Sequence, residues 1–150
     1  MKYYSAMWWI VLVTLSLAFP AGAQTITDGD TIKLHGERIR LHGIDAPELK
    51  QVCKDGWRAG EASKAALQQI ISRGPIECKA VDRDRYGRTV ATCTAGGQDL
   101  GAELVRQGMA WPFFKYSWRY APEYLLAWTE GEGVHAHDCQ KPWEWRAQHR

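Results

Sequence analysis

"RIRLHGIDAPE", residues 38–48, sets Arg40, Asp45 and Glu48 among Ile39, Leu41 and Ile44. The apolar residues read as a barrel strand, and Pro47 fixes a turn at its exit. A strand that only packs has no use for a guanidinium and two carboxylates there. Working back toward the N-terminus, Thr25 to Ile44 alternates in strand fashion, with Ile32 and Leu34 on one parity and Ile39 and Leu41 on the facing one. Between them, His35-Gly36-Glu37-Arg38 places glycine first of two central residues, as a type II′ hairpin turn prefers. With Gly36 and Glu37 as the turn, Asp28 faces Asp45, Asp30 faces Gly43, and Asp30 and Asp45 become diagonal neighbours on the inner face. Diagonal side chains in a sheet lie about 7–8 Å apart, within reach of a shared ion.

Two carboxylates so placed raise one another's proton affinity unless a cation neutralises them. A hard divalent ion suits the site: calcium takes oxygen ligands, which the two aspartates, a main-chain carbonyl of Asp45-Ala46-Pro47 and water supply. The plainer alternative is that Asp28 and Asp30 cap the turn in "TDGDT". Arg40 has the opposite parity to Asp45 and points outward on an ideal strand. Glu48, aimed by the Pro47 turn, is placed to activate a water if a metal lies beside it.

Farther along, "GEASKAALQQIISRGP" reads as a helix with Ala59, Ala62, Ala66, Ile70 and Ile71 on one face and Gly74-Pro75 as its stop. "IECKAV" and "RTVATCT" read as strands around "DRDRYG". That turn gathers Arg83, Arg85 and Arg88 about Tyr86: a solvated basic loop, or planar forks for phosphate beside a stacking surface for a base. Centring it on Arg85-Tyr86 sets Cys78 opposite Cys93, as a disulfide or as small core residues. A helix capped by Asp99 follows, with Leu100 and Leu104 on one face and Gly108 closing it. A third starts at Pro122 and is stopped by Gly131 and Gly133. The tail "HAHDCQKPWEWRAQHR" shows no clear period. Strands, helix, strands and helices in this order suggest a small mixed β-barrel with helices packed on it.

The 150 residues have room for one domain. The first 23, with Lys2, an apolar run from Met7 to Phe19 and Ala21-Gly22-Ala23, have the pattern of a secretory signal peptide cleaved after Ala23. The apolar run is short for a bilayer span, which needs roughly 20 residues. Without Lys2, the 18 remaining Lys and Arg face 17 Asp and Glu, a net charge of +1. Overall charge therefore does not argue for a polyanionic partner; the placement of the arginines must. Export to a secreted or periplasmic location favours disulfides among Cys53, Cys78, Cys93 and Cys139, and the absence of C-x-x-C spacing disfavours zinc.

"DGDTIKL", "RIRLHGIDAPE", "DRDRYGRTVA" and "LGAELVRQGMA", in this order from Thr27 to Ala110, resemble the staphylococcal-type thermonuclease family. The resemblance implies a five-stranded OB-type barrel with about three packed α-helices. It implies a calcium-dependent nuclease acting on DNA and RNA with little sequence preference and leaving 3′-phosphates. It matches Asp30, Asp45 and the Ala46 carbonyl to the metal ligands, Arg40, Glu48 and Arg88 to the catalytic residues, and Arg85, Tyr86, Phe114 and Tyr116 to the substrate-binding ones. A monomer without stable membrane association after leader removal is expected. Three departures stand out: a short first strand, Phe114 where the family has a tyrosine, and a glycine-broken, acidic C-terminal region from about residue 131 in place of a long basic helix. The rival reading is an OB module that binds nucleic acid or an envelope partner without catalysis.

Overall fold

The computed structural model describes residues 24–149, so the expected leader lies outside the described residues. In chain order the elements are β1 (Thr25–Asp28), β2 (Thr31–Leu34), β3 (Glu37–Leu41), β4 (Ile44–Asp45), α1 (Ala59–Ile71), β5 (Ile76–Arg83), β6 (Thr89–Ala95), β7 (Gln98–Asp99), α2 (Leu100–Arg106), β8 (Trp111–Pro112), α3 (Ala121–Glu130) and α4 (Pro142–Gln148). The main sheet runs β1-β2-β3-β6-β5, with β7 attached to β6 and β4-β8 forming a separate two-stranded ladder. β3 and β6 pair in parallel and the other ladders are antiparallel. This is the expected OB-type α+β fold, its five-strand path carrying the barrel character, with four α-helices among the described residues rather than three.

The core forms where α1 and α2 lie on the sheet. Ile32, Ile39, Leu41, Ala91 and Cys93 meet Leu67, Ile70 and Ile71 of α1 and Leu100, Leu104 and Val105 of α2. Each large apolar side chain buried there contributes on the order of 1.5–3 kcal/mol. α1 buries Ser63 and Leu67 alongside the expected Ala59, Ala66, Ile70 and Ile71, while Ala62 is half-exposed. The Ser63 hydroxyl is satisfied by donating to the Met109 carbonyl at 2.6 Å.

The first hairpin departs from the expected register. Ile32 pairs with Ile39 and Leu34 with Glu37, so the turn is His35-Gly36. Both residues have positive φ, 50° and 84°, which is the type I′ geometry in place of II′. Histidine tolerates the left-handed region better than most non-glycine residues. The strand read as continuous from Thr25 is also broken: the Asp30 N–H donates to Asp28 Oδ1 at 3.1 Å, and β1 folds back on β2. Asp28 thus caps the turn and does not face Asp45.

The second hairpin turns on Asp84-Arg85-Tyr86-Gly87, closed by Gly87 N–H to Asp84 O at 3.0 Å. An irregularity between Ala80 and Asp82 restores the register, so Cys78 lies opposite Cys93. They form a disulfide, and Cys53 pairs with Cys139. α4 was not visible in the periodicity, although Pro142 sits in its first turn as Pro122 does in α3. Trp118 and Trp128 are 72% and 60% exposed. No helix among the described residues is long and apolar enough to cross a membrane.

Candidate active site

β3 ends at Leu41, and the chain bends through His42-Gly43, where Gly43 has φ 77°, before β4 begins. That bend cancels strand parity. Arg40 and Asp45, which an ideal strand would put on opposite faces, meet with Nη2 to Oδ1 at 2.8 Å. The same Nη2 lies 3.2 Å from Asp30 Oδ2. Asp30 and Asp45 are both buried, so the three residues form a charged knot at the end of the barrel. Asp30 is held further by the Ala46 N–H, 3.0 Å from Oδ2, and by the Thr31 hydroxyl, 3.0 Å from Oδ1.

Burial pushes the Asp30 carboxyl above its ordinary value, and neighbouring Asp28 adds to the rise against the opposing Arg40. Arg40 loses some proton affinity to burial, but Asp30 and Asp45 outweigh that and raise it.

Glu48 follows the Pro47 turn. Its N–H donates to Gln51 Oε1 at 3.1 Å, and Gln51 Nε2 in turn donates to the Gln140 carbonyl at 2.6 Å. The first turn of α1 presses on this loop so closely that a Cβ on Gly60 would fall 2.0 Å from the Glu48 carbonyl oxygen.

Arg88 enters from the second hairpin. Its Nε donates to Asp84 Oδ2 at 2.7 Å, and Nη1 lies 3.4 Å from Thr31 Oγ1, linking it through Thr31 to Asp30. Asp84 Oδ1 also accepts the N–H groups of Tyr86 and Arg88, both at 2.9 Å. Burial raises the Asp84 carboxyl, but these bonds prevail and leave it below the usual carboxylate range.

One open groove of about 1240 Å³ connects these groups: Asp30, Arg40, Ala46, Glu48, Arg85, Tyr86, Arg88 and Tyr116 all line it. Tyr86 is exposed, with the Arg85 guanidinium 4.8 Å from its ring centre. Phe114 is not among the residues that line this groove. Its ring packs on Trp118 at 4.5 Å and edge-on to Tyr124, whereas its neighbour Phe113 lines the groove, packed edge-on to Tyr116.

Sequence reasoning also missed Arg146. From α4 it donates Nη2 to Asp45 Oδ2 at 2.7 Å, and Nη1 to Asp45 Oδ1 at 3.1 Å and Glu48 Oε1 at 2.7 Å. The bonds to Asp45 raise its proton affinity most, those to Glu48 next, against the effect of burial. The usable signal was a proline-initiated helix in "PWEWR" downstream of a cysteine; nothing in the spacing pointed toward Asp45.

The donors suit a hard cation. Asp30 and Asp45 offer carboxylate oxygens, and the raised Asp30 shows that Arg40 does not fully offset its burial. Among the described residues no group of three or more His, Cys, Asp and Glu converges as a metal cage. The remaining ligands of such an ion would therefore have to be backbone carbonyls and water.

The family described as "Staphylococcal nuclease homologue" matches residues 38–132, and the chain belongs to it. The chain is 41% identical over 113 residues to the succinoglycan biosynthesis protein ExoI of Rhizobium meliloti, covering 67% of this chain and 59% of that protein. It is 31% identical to protein ParB of Escherichia coli, covering 90% of this chain and 86% of the other. To an uncharacterized endonuclease of Haemophilus influenzae it is 33% identical, covering 83% and 71%. A probable staphylococcal-like nuclease of rice is 34% identical, and there the chain spans only 22% of the longer protein.

Proposed function

We propose that the protein is an exported, calcium-dependent nuclease whose mature chain begins at Gln24. It hydrolyses phosphodiester bonds of DNA and RNA with little base preference and leaves 3′-phosphates. The observation that carries this reading is the convergence of Arg40, Glu48 and Arg88 on one groove beside the buried Asp30–Asp45 pair. Family membership and the endonuclease and nuclease names of several relatives support the reaction class. Two disulfides in the fold agree with an oxidising compartment.

Glu48 takes the proton of the attacking water. Arg40 and Arg88 stabilise the charge that builds on the equatorial phosphoryl oxygens as the 5′ oxygen leaves. Arg85 binds the phosphate chain, while Tyr86, Tyr116 and Phe113 offer faces for bases; such contacts grip without reading sequence. Asp30, Asp45 and the Ala46 carbonyl would hold a calcium ion, and that ion would supply Lewis-acid polarisation of the phosphodiester.

The test is hydrolysis of single-stranded DNA by the purified protein, with calcium and with a chelator, beside Glu48→Gln. Calcium-dependent cleavage leaving 3′-phosphate ends is expected, with turnover reduced by about 10²–10³ in Glu48→Gln, on the scale of losing one group that acts on the transition state. Binding without cleavage by the folded, calcium-loaded protein would instead establish the non-catalytic module.

A further inference from the structure

Arg146 occupies the position that this reading gives to a cation. Asp45 Oδ1 accepts from both Arg40 Nη2 and Arg146 Nη1, and Oδ2 accepts from Arg146 Nη2. A carboxylate has about four lone-pair directions, so three guanidinium bonds leave little of Asp45 for another ligand. A calcium ion coordinates carboxylate oxygen at about 2.3–2.6 Å. At that distance it would share its oxygen with a guanidinium and stand against like charge.

The two arginines differ in how they are held. Arg40 lies within β3, which is paired on one side to β2 and on the other to β6. Arg146 lies in the seven-residue α4, which belongs to no sheet. α4 is docked by a few identifiable ties. Cys139 is bonded to Cys53, the Gln140 carbonyl accepts from Gln51, and Trp143 stacks on Phe113 with ring centres 5.4 Å apart and planes 4° apart. Gln51 also accepts the Glu48 N–H, so the tail and the Glu48 loop form one unit. These ties place the arginine at the site while leaving its side chain free to exchange partners.

We propose that Arg146 is an internal competitor for the divalent cation: its fork on Asp45 and Glu48 and a calcium ion on Asp45 exclude one another. The inference rests on the calcium reading above. Arg146 keeps the carboxylates neutralised when no cation is bound, and every loading event must displace it, which weakens cation affinity. Once displaced from Asp45 and Glu48, its guanidinium faces the same groove that the substrate enters.

Calcium titration calorimetry without nucleic acid tests this, using the purified protein and Arg146→Met, which keeps an unbranched stem without charge. The methionine variant is expected to bind calcium at least tenfold more tightly, with Arg146→Lys between it and the parent. The double variant with Asp45→Asn should lose the gain. Equal or weaker binding by Arg146→Met overturns the proposal, as does a gain that survives Asp45→Asn. Calcium binding by neither parent nor variants would instead remove the calcium reading, and this inference with it. Arg146→Gln serves the same comparison if the methionine variant does not fold.

Discussion

Arg88 owes its position to Asp84, a residue of its own turn. Asp84 accepts three bonds, two from the backbone of its own turn and one from Arg88 Nε, and so fixes the direction in which the guanidinium points. Asp84→Ala should leave the barrel folded yet lower kcat by about 10²-fold, the scale on which misplacing a reacting group by ~1 Å acts. Because those bonds hold the Asp84 carboxyl below its ordinary value, its ionised form stabilises the fold. That contribution is complete above the unfolded value of about 3.9 and is lost as pH falls through the lower folded value. A carbon-13 titration should therefore give Asp84 a midpoint below ~3.9; a midpoint at or above it would show the turn to be loose. At this scale legibility was uneven. Asp45 and Glu48 stood out because charges at a strand exit need a reason, Asp30 came from the diagonal pairing in the first hairpin, and Arg88 from a basic turn and the family resemblance. Arg40 was misdirected by ideal parity, which the His42-Gly43 bend cancels. Arg146 was hidden because its partners lie about a hundred residues away and no local period encodes them.

Helices α1 and α2 were readable from apolar spacing and their stop and cap residues, and both have consequences beyond packing. Asp99 accepts the Ala102 N–H at 3.1 Å and the hydroxyl of Tyr120, which is buried, at 3.0 Å. Burial and the adjacent Asp99 together push the Tyr120 phenol well up, so it stays a donor throughout the physiological range. Asp99→Ala removes an N-cap, costing about 1–2 kcal/mol, and orphans a buried hydroxyl, costing about 1–3 kcal/mol. Urea unfolding should show a loss of roughly 2–4 kcal/mol, with Asp99→Asn losing much less because asparagine also caps. Gly60 is an element-scale device of another kind: the lack of a side chain lets α1 abut the Glu48 carbonyl. Gly60→Ala must push that loop away. Steady-state kinetics should show kcat falling far more than KM rises, while stability drops by about 1–3 kcal/mol. The strand registers were less legible than the helices. A type I′ turn with histidine in its first central position, and the Asp28 cap that folds β1 back, are local choices that alternation alone does not distinguish.

For the whole molecule, the near-neutral charge foreseen from composition becomes a statement about where positive charge is free to act. Six cationic residues line the groove, namely Arg38, Arg40, Arg85, Arg88, Lys115 and Arg146. Three of them, Arg40, Arg88 and Arg146, are engaged with Asp30, Asp45, Asp84 and Glu48. The other three rest on tyrosines: Arg38 on the Tyr86 carbonyl at 3.0 Å, Arg85 on the Tyr86 hydroxyl at 2.7 Å, and Lys115 over the Tyr116 ring. Phosphates that displace only the second group release about three counterions' worth of charge. On a single strand each contributes about −0.7 to the slope of log K against log salt, so the protein, measured with a short single-stranded DNA and a chelator in place of calcium, should give a slope near −2. Replacing Arg85 by alanine should flatten it by about 0.7. A slope near −4 would require all six cations to meet phosphate. Arg40, Arg88 and Arg146 would then exchange carboxylates for substrate on binding, and the charged knot at the barrel's end would be a resting arrangement that nucleic acid takes apart.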